Sequence, residues 1–276
     1  MKLSGDVRKL VTQKNEEFHD LFVEHYDAMH QQDIFFAGNQ ERIAANVQHV
    51  ARLSKPGGTL VDMGCGTGNI PRLARTAFDH IIGVDISKAS LAKAKQYCDR
   101  VIVSDLYDIS ELPSGSVDAA TSYSVLHHLF DPPAFLREVY RVLNKGGAIY
   151  CDNDPNYLYD RTFKSLQPIK NALRSLQRGK KPTEAPEPSG DWQTLIKENQ
   201  ETYDFAEFHH HHSTSGYDGF DMSEVRKWLV AVGFTRIEFH LVRFDLRDER
   251  NPKVYQVADS RFRRPFYTHF AFFAGK

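Results

Sequence analysis

An acidic residue and three glycines stand together near residue 60 and could bind a nucleotide. The apolar run 60–63 predicts a buried strand, and Asp62 lies within it. Gly64, Gly66 and Gly68 follow at alternating positions. Glycine allows a sharp turn and a close approach to a ligand, because it has no Cβ atom. A helical pattern begins near residue 68, so strand, loop and helix predict a nucleotide cradle at the carboxyl end of a strand.

Two further carboxylates end the next two predicted strands. The apolar run 81–84 is followed by Asp85, about 20 residues beyond the glycine loop. An acid at that place commonly accepts hydrogen bonds from ribose hydroxyls. Asp105 ends the run 100–104, where its carboxylate could accept a hydrogen bond from an exocyclic amine such as that of adenine.

These residues resemble the motifs of the class I S-adenosylmethionine-dependent methyltransferases, in particular the small-molecule, type 11-like members. Residues 116–122, which lead into 123–129, resemble the family's fourth strand, and residues 141–147 resemble the turn before its fifth strand. With the three features above, these make five motifs in the family's order between about residues 57 and 153, and the resemblance is weaker outside that region. It implies S-adenosyl-L-methionine as the cofactor, with Tyr26 over its methionine end. The cofactor-binding positions it implies are Tyr26, Asp62, Gly64, Cys65, Gly66, Gly68, Asp85, Ile86, Asp105, Leu106 and Ser122.

Two other nucleotide sites fit the glycine loop less well. A dinucleotide oxidoreductase carries Gly-x-Gly-x-x-Gly, but here the third glycine is Gly68 and Asn69 follows it. Asp62 and Asp105 also have no role in that motif. A P-loop requires Gly-Lys-Ser/Thr at the end of the loop, which this sequence lacks.

Two histidines after the fourth predicted strand are candidates for a general base. Some small-molecule members of the resembled family use a histidine there, sometimes with an acid just after strand five. His127 is the first choice, with Asp152 orienting it; His128 and Asp154 lie in the same neighbourhood. A general base typically contributes 10²–10⁴ in rate when the acceptor is a hydroxyl or an acidic carbon. The alternative is that the two histidines only pack and hydrogen-bond at the head of a helix.

The composition predicts an enzyme domain without a nucleic-acid partner or a membrane span. The 276 residues carry a formal net charge of -1, so no basic field favours nucleic acid or an anionic membrane. The sequence contains no apolar run of about 18 residues, so no transmembrane helix is predicted. The amino terminus lacks the apolar region of a signal peptide. Three scattered cysteines favour a reducing compartment, and we expect a cytoplasmic location.

The order of elements predicts an α/β fold, namely a Rossmann-like, mostly parallel, seven-stranded sheet with a reversed last strand. Residues 1–56 form a predicted helical cap, and residues 57–153 form the cofactor-binding half. Residues 154–220 interrupt the alternation after strand five. Residues 221–276 supply a helix and an antiparallel pair of strands that complete the same domain.

The insertion at 154–220 is predicted to be a lid or wall over the acceptor, because loops at the carboxyl ends of strands border the ligand crevice. Its predicted mobile part contains Pro182, Pro186, Pro188, Lys180 and Lys181. The alternative is a surface elaboration without contact to the substrate. The numerous Phe and Tyr residues of the insertion hint at an apolar or aromatic acceptor.

Two other motifs resemble functional sites but are not predicted to act as such. Four consecutive histidines at 209–212 lack the spacing of a closed metal site and have no accompanying Cys or acidic cluster, so no metal is predicted. Asp131, Pro132 and Pro133 resemble part of an amino-methylation motif. The two prolines are instead predicted to start a helix, where proline is well tolerated.

Three functional classes follow from these observations. The first is a methyltransferase acting on a small molecule, with oxygen favoured as the accepting atom, then carbon, then nitrogen. The second is a non-catalytic module of the same fold that binds the cofactor or a protein. The third is an NAD(P)-dependent oxidoreductase, which the glycine spacing disfavours.

Overall fold

The structure is a computed structural model of the 276-residue chain. It describes residues 5–26, 35–159, 161–162, 219–245, 252–260, 262–264 and 267–276. The predicted mobile prolines and lysines at 180–188 and the four histidines at 209–212 lie outside these residues. The lid therefore stays a prediction.

An eight-stranded sheet with the order β3-β2-β1-β4-β5-β8-β6-β7 forms the centre of the described fold. Strands β1 to β5 run parallel, β8 is antiparallel to both β5 and β6, and β7 is antiparallel to β6. The strands are β1 Thr59–Met63, β2 His80–Asp85, β3 Arg100–Val103, β4 Val117–Tyr123, β5 Leu143–Pro155, β6 Thr235–Asp245, β7 Lys253–Ala258 and β8 His269–Gly275.

Helices cover both faces of the sheet. They are α1 Gly5–Phe22, α2 Ala37–Leu53, α3 Asn69–Ala74, α4 Lys88–Ala94, α5 Pro132–Val142 and α6 Met222–Val232. The two longest of the later helices begin where the sequence predicts. Asp131 caps α5 by accepting a hydrogen bond from the Ala134 N–H, and two prolines follow it. Asp221 caps α6, and Gly233 ends it in the left-handed conformation with a φ of 115°.

Two apolar layers hold these helices to the sheet. On one face, α5 and α6 bury Phe135, Val139 and Leu229 against the strands. On the other face, α2, α3 and α4 do the same through side chains that include Ile43 and Leu91. Burial on both faces explains the apolar runs within the parallel strands, such as 81–84 in β2.

The predicted fold class is confirmed, with one strand more than expected. The additional strand is β7, an edge strand whose side chains are exposed or half-buried. It lacks the strong apolar pattern that identifies a central strand, and the sequence therefore gave little sign of it. None of the described helices is long and apolar enough to cross a membrane.

The two ends of the insertion after β5 are bonded to each other. The Phe220 N–H donates to the Pro155 carbonyl over 2.9 Å, and the Tyr157 N–H donates to the Phe220 carbonyl over 3.1 Å. Gly219, with a φ of 93°, allows this approach, because a Cβ there would lie 2.5 Å from the Pro155 oxygen. Buried Asn156 donates through Nδ2 to the carbonyls of Arg264 and Tyr267, which fixes this point to the loop before β8.

Candidate active site

A cavity of about 800 Å³, including its mouth, lies at the carboxyl ends of the parallel strands. The residues after β1, β2, β3 and β4 all contribute to it, as expected for the crevice of an open α/β sheet. Its lining from these strand ends consists of Gly64, Gly66, Thr67, Asp85, Ile86, Ser104, Asp105, Leu106, Tyr107, Tyr123, Ser124, Val125, His128, Leu129 and Phe130.

The three glycines of the loop after β1 have different reasons to be glycine. A Cβ on Gly66 would meet no atom within 4 Å, so this position opens into free space. A Cβ on Gly64 would lie 2.5 Å from Val125, and one on Gly68 would lie 2.8 Å from Tyr97. Gly66 therefore leaves room beside its backbone for a ligand, whereas Gly68 does not line the cavity and permits close packing against Tyr97 and the end of α4.

Cys65 and Ser122 also lie behind the cavity wall, among the described residues that do not line it. Cys65 is buried, and a Cβ on Gly83 would lie 2.9 Å from its sulfur. Burial raises the pKa of the Cys65 thiol well above its usual value, which suits a packing role. Ser122 is buried within β4, and the cavity is lined instead by the next three residues of the chain.

Asp85 ends β2 and holds the glycine loop in place. Its Oδ2 accepts a hydrogen bond of 2.8 Å from the Gly66 N–H, and its Oδ1 accepts one of 2.9 Å from the Ser87 N–H. The carboxylate also lines the cavity. A carboxylate accepts about four hydrogen bonds in total, so Asp85 retains capacity for ligand hydroxyls.

Asp105 lies at the other end of the cavity, after β3, and is covered by the amino-terminal helix. Arg8 of α1 donates to its Oδ2 over 3.3 Å and stacks 3.9 Å from the ring centroid of Tyr107. Leu106, between these two residues, lines the cavity with a left-handed φ of 69°. The predicted adenine-side residues therefore form one wall together with α1.

Helix α1 supplies cavity residues that the sequence did not reveal. They are Val11, Thr12, Asn15 and His19, and Tyr26 beyond the helix also lines the cavity. The four helix residues are spaced as one face of a helix, and this spacing is the sequence pattern that could have identified them. Asp20 fixes the helix in place, because its Oδ1 binds the Ser87 hydroxyl over 2.5 Å.

Asp62 is buried beneath the glycine loop rather than in the cavity wall. Its Oδ1 accepts a 2.6 Å hydrogen bond from the Thr121 hydroxyl, and Oδ2 has no partner within the described part of the chain. Burial raises the pKa of Asp62 to about 7, and nearby Asp85 adds to the rise, against the lowering effect of Thr121. The buried acid is therefore a source of pH-dependent stability.

Replacing Asp62 by asparagine should flatten the dependence of stability on pH. Because the folded-state pKa of about 7 exceeds the usual 3.8, the folded protein holds this proton more tightly than the unfolded chain. Its contribution to the free energy of unfolding is therefore lost as pH rises from 3.8 to about 7. Between roughly pH 5 and pH 8, the free energy of unfolding of the natural protein should fall by about 2–3 kcal/mol more than that of the Asp62→Asn variant. Urea unfolding at both pH values measures this, and parallel pH curves would contradict it.

His127 is paired with Asp154, so the predicted orientation by Asp152 is wrong. His127 Nδ1 lies 2.9 Å from Asp154 Oδ1, and the His127 N–H donates to the same oxygen over 3.3 Å. An ionised carboxylate only accepts hydrogen bonds, so beside ionised Asp154 a neutral His127 ring carries its proton on Nδ1 and its lone pair on Nε2. Burial raises the pKa of Asp154, while its hydrogen bond to His127 opposes the rise. This arrangement can accept a proton at Nε2.

A one-residue bulge in β5 explains the exchange of the two carboxylates. Cys151 pairs with Phe272 and Asp154 with Phe270, so three steps on β5 match two steps on β8. The extra residue is Asn153, which has a left-handed φ of 63°. Without it, regular alternation would place Asp154 on the same face as Asp152.

Asp152 is committed to a buried ion pair on the opposite face. Arg42 Nη1 donates to its Oδ2 over 2.6 Å, and the two side chains are 8% and 0% exposed. The Tyr150 hydroxyl donates to the same oxygen. Arg42 also donates to Asn39, which bonds the Tyr123 hydroxyl over 3.0 Å. Asp152 therefore connects α2 to the cavity wall at Tyr123, whereas the hydrogen bond to His127 comes from Asp154.

His128 is the member of the histidine pair that lines the cavity. Its ring centroid lies 4.3 Å from that of His127 and 5.4 Å from that of His19. Asn15 of α1 donates to its carbonyl over 3.0 Å. The structure thus brings His127, His128 and Asp154 together at the ends of β4 and β5.

Comparison with known proteins identifies the central part of the chain. Residues 61–151 match the family model described as a methyltransferase domain. A demethylmenaquinone methyltransferase of Symbiobacterium thermophilum is 33% identical over 149 residues, which are 49% of this chain and 57% of that protein. A malonyl-[acyl-carrier protein] O-methyltransferase of Serratia marcescens is 34% identical over 98 residues, which are 35% of this chain and 38% of that protein. The chain thus spans less than two thirds of the length of these relatives.

A solved structure shares the fold over nearly the whole chain. The magnesium protoporphyrin IX methyltransferase of Synechocystis PCC 6803 with bound SAH superposes with a TM-score of 0.55 at 16% identity. The match covers 96% of this chain and 99% of that protein.

Proposed function

We propose that the protein transfers a methyl group from S-adenosylmethionine to a small-molecule acceptor, and the match of residues 61–151 to a methyltransferase domain supports this. The observation that carries the proposal is that two sets of residues lie at the carboxyl edge of the same parallel sheet. The first set is the open position at Gly66 with the carboxylates of Asp85 and Asp105. The second is the pair formed by His127 and Asp154.

The residues of the first set fit an adenosyl cofactor. Asp85 is held by two backbone N–H groups and faces the cavity, where it would accept hydrogen bonds from ribose hydroxyls. Asp105, Leu106 and Tyr107 would hold the adenine, and Tyr26 with His19 would cover the methionine end. S-adenosylmethionine, when bound, supplies an electrophilic methyl group. The chain itself must then align the acceptor and exclude water.

The residues of the second set favour an acceptor that loses a proton. Asp154 keeps the Nδ1 proton of His127 in place, so Nε2 can take a proton from the acceptor. We propose oxygen as the leading accepting atom, with carbon next and nitrogen third. The two relatives named above act, by their names, on a demethylmenaquinone and on a malonyl-[acyl-carrier protein]. An aromatic or enolic small molecule is consistent with both the base and the apolar wall of the cavity.

We further propose that the insertion after β5 lies over the acceptor. The support is the position of its two ends. The bridge between Asn156 and Phe220 lies just past the carboxyl end of β5, where Pro155 alone separates Asn156 from Asp154. This places the origin of the insertion beside the proposed base.

Parallel calorimetric titrations with S-adenosylmethionine, S-adenosylhomocysteine and NADH test the proposed function. Micromolar binding of the two adenosyl ligands without NADH binding is expected. Acceptor screening with methyl-labelled cofactor then separates an enzyme from a non-catalytic module, which would bind without turnover. Binding of NADH alone would overturn the proposal in favour of an oxidoreductase.

A further inference from the structure

A hydrogen bond joins the two residues that follow the paired ends of β4 and β5. Tyr123 and Asp152 are partners in the parallel register, so Ser124 and Asn153 are the next residues on neighbouring strands. Asn153 Nδ2 donates to Ser124 Oγ over 3.3 Å. Ser124 lines the cavity, whereas Asn153 lies behind it with 9% of its surface exposed.

Both residues hold a backbone conformation that favours glycine. The φ angles are 62° at Ser124 and 63° at Asn153. Asparagine tolerates the left-handed region better than most residues, but serine has no such advantage. Strain of this kind concentrates at ligand sites, where the surrounding structure enforces it. The Ser124 N–H donates to the Asp152 carbonyl over 2.8 Å, which holds the turn. The chain thus places a hydroxyl where glycine would be less strained.

The hydrogen bond from Asn153 determines what the Ser124 hydroxyl can do. Its oxygen already accepts a proton from the Asn153 amide, and its own proton has no acceptor among the described residues. The hydroxyl is therefore available as a donor toward the cavity. Asn153 Oδ1 is buried without a partner in the same part of the chain, so nothing else in the described structure competes for that end of the amide.

We propose that Ser124 binds the oxygen of an acidic hydroxyl on the acceptor, namely a phenol or an enol, and that Asn153 is a positioning residue for it. The inference rests on the proposed function and names its substrate class. The O–H bond of the acceptor breaks, its proton passes to Nε2 of His127, and the electron pair stays on the oxygen. Ser124 donates its hydroxyl proton to that oxygen as a hydrogen bond and stabilises the negative charge.

Binding of 4-nitrophenol to the protein saturated with S-adenosylhomocysteine tests this inference without turnover. The visible absorption of the probe reports whether it is bound as the phenolate. The natural protein should bind the phenolate in preference to the phenol, so the pKa of the bound probe falls below that in solution. The Ser124→Gly variant should bind the phenolate about 10- to 100-fold more weakly, because one hydrogen bond to a charged oxygen is lost.

A second variant separates positioning from packing. Asn153→Asp keeps the size of the side chain but accepts the Ser124 proton instead of donating to its oxygen. It should weaken phenolate binding about as much as Ser124→Gly does. The double variant should lose no more affinity for the phenolate than either single variant. Ser124→Gly should unfold at the same temperature as the natural protein or a higher one, because glycine relieves the strain.

Two results would overturn the inference and leave the proposed function standing. One is the absence of any pKa shift of 4-nitrophenol on the natural protein. The other is unchanged phenolate binding in Ser124→Gly. Calorimetry with S-adenosylhomocysteine on the same samples distinguishes failure of this inference from failure of the proposed function. If the natural protein did not bind S-adenosylhomocysteine, the proposed function itself would be contradicted.

Discussion

Replacing Asp85 by alanine should weaken the binding of S-adenosylhomocysteine about 100-fold or more while the protein stays folded. Hydrogen bonds to a charged group contribute about 1.5–3 kcal/mol each, and the ribose offers two hydroxyls. The change also releases the Gly66 and Ser87 N–H groups that the carboxylate holds. Calorimetric titration gives the affinity, and circular dichroism with thermal unfolding reports the fold.

Asp99 provides a matched control for this experiment. Its carboxylate accepts a 2.7 Å hydrogen bond from the Ile81 N–H, so it too holds a strand backbone. It lies at the amino end of β2 and β3, away from the cavity. Asp99→Ala should leave the affinity unchanged. An Asp85→Ala variant with the affinity of the natural protein would remove Asp85 from the cofactor site.

Replacing His127 by glutamine should lower kcat for methyl transfer by about 10²- to 10⁴-fold, which is the usual contribution of a general base. Affinity for S-adenosylhomocysteine should stay the same, because His127 is not among the described residues that line the cavity. Single-turnover assays with an acceptor from the screen measure the effect. An acceptor whose nucleophile needs no deprotonation would show little loss.

Asp154 and His128 provide the comparisons for His127. Asp154→Asn removes the carboxylate that holds Nδ1–H, so kcat should fall, but by less than for His127→Gln. His128→Gln changes the neighbouring ring, which lines the cavity. A large loss of kcat in His128→Gln together with full activity in His127→Gln would reverse the assignment of the base.

Local sequence patterns sufficed for the parts of the site that one strand and its loop determine. The positions of Gly66, Asp85 and Asp105 on the cavity follow from three strand–loop units whose carboxyl ends meet at one edge. The same reasoning correctly identified the start of α5 at Asp131. In each case the signal lies within a few residues of the element that it positions.

Features that depend on strand register or on long-range packing could not be predicted from local sequence patterns. The bulge at Asn153 changes which face Asp154 occupies, whereas the family resemblance had led us to assign the contact with His127 to Asp152. Arg8 reaches Asp105 from 97 positions away along the chain, and only the docking of α1 on the sheet edge reveals that contact. The edge strand β7 lacks a buried face and so gave no clear alternation.

The bonded ends of the insertion after β5 have a consequence for how the protein can diversify. Because Pro155 and Phe220 are already hydrogen-bonded, the sheet does not set the number of residues between them. Each doubling of such a loop adds only about 0.6 kcal/mol of closure entropy. Insertions and deletions there cost little folding free energy. Evolution, or a protein engineer, could therefore exchange this segment while the pair of His127 and Asp154 and the cavity beside the glycine loop stay constant.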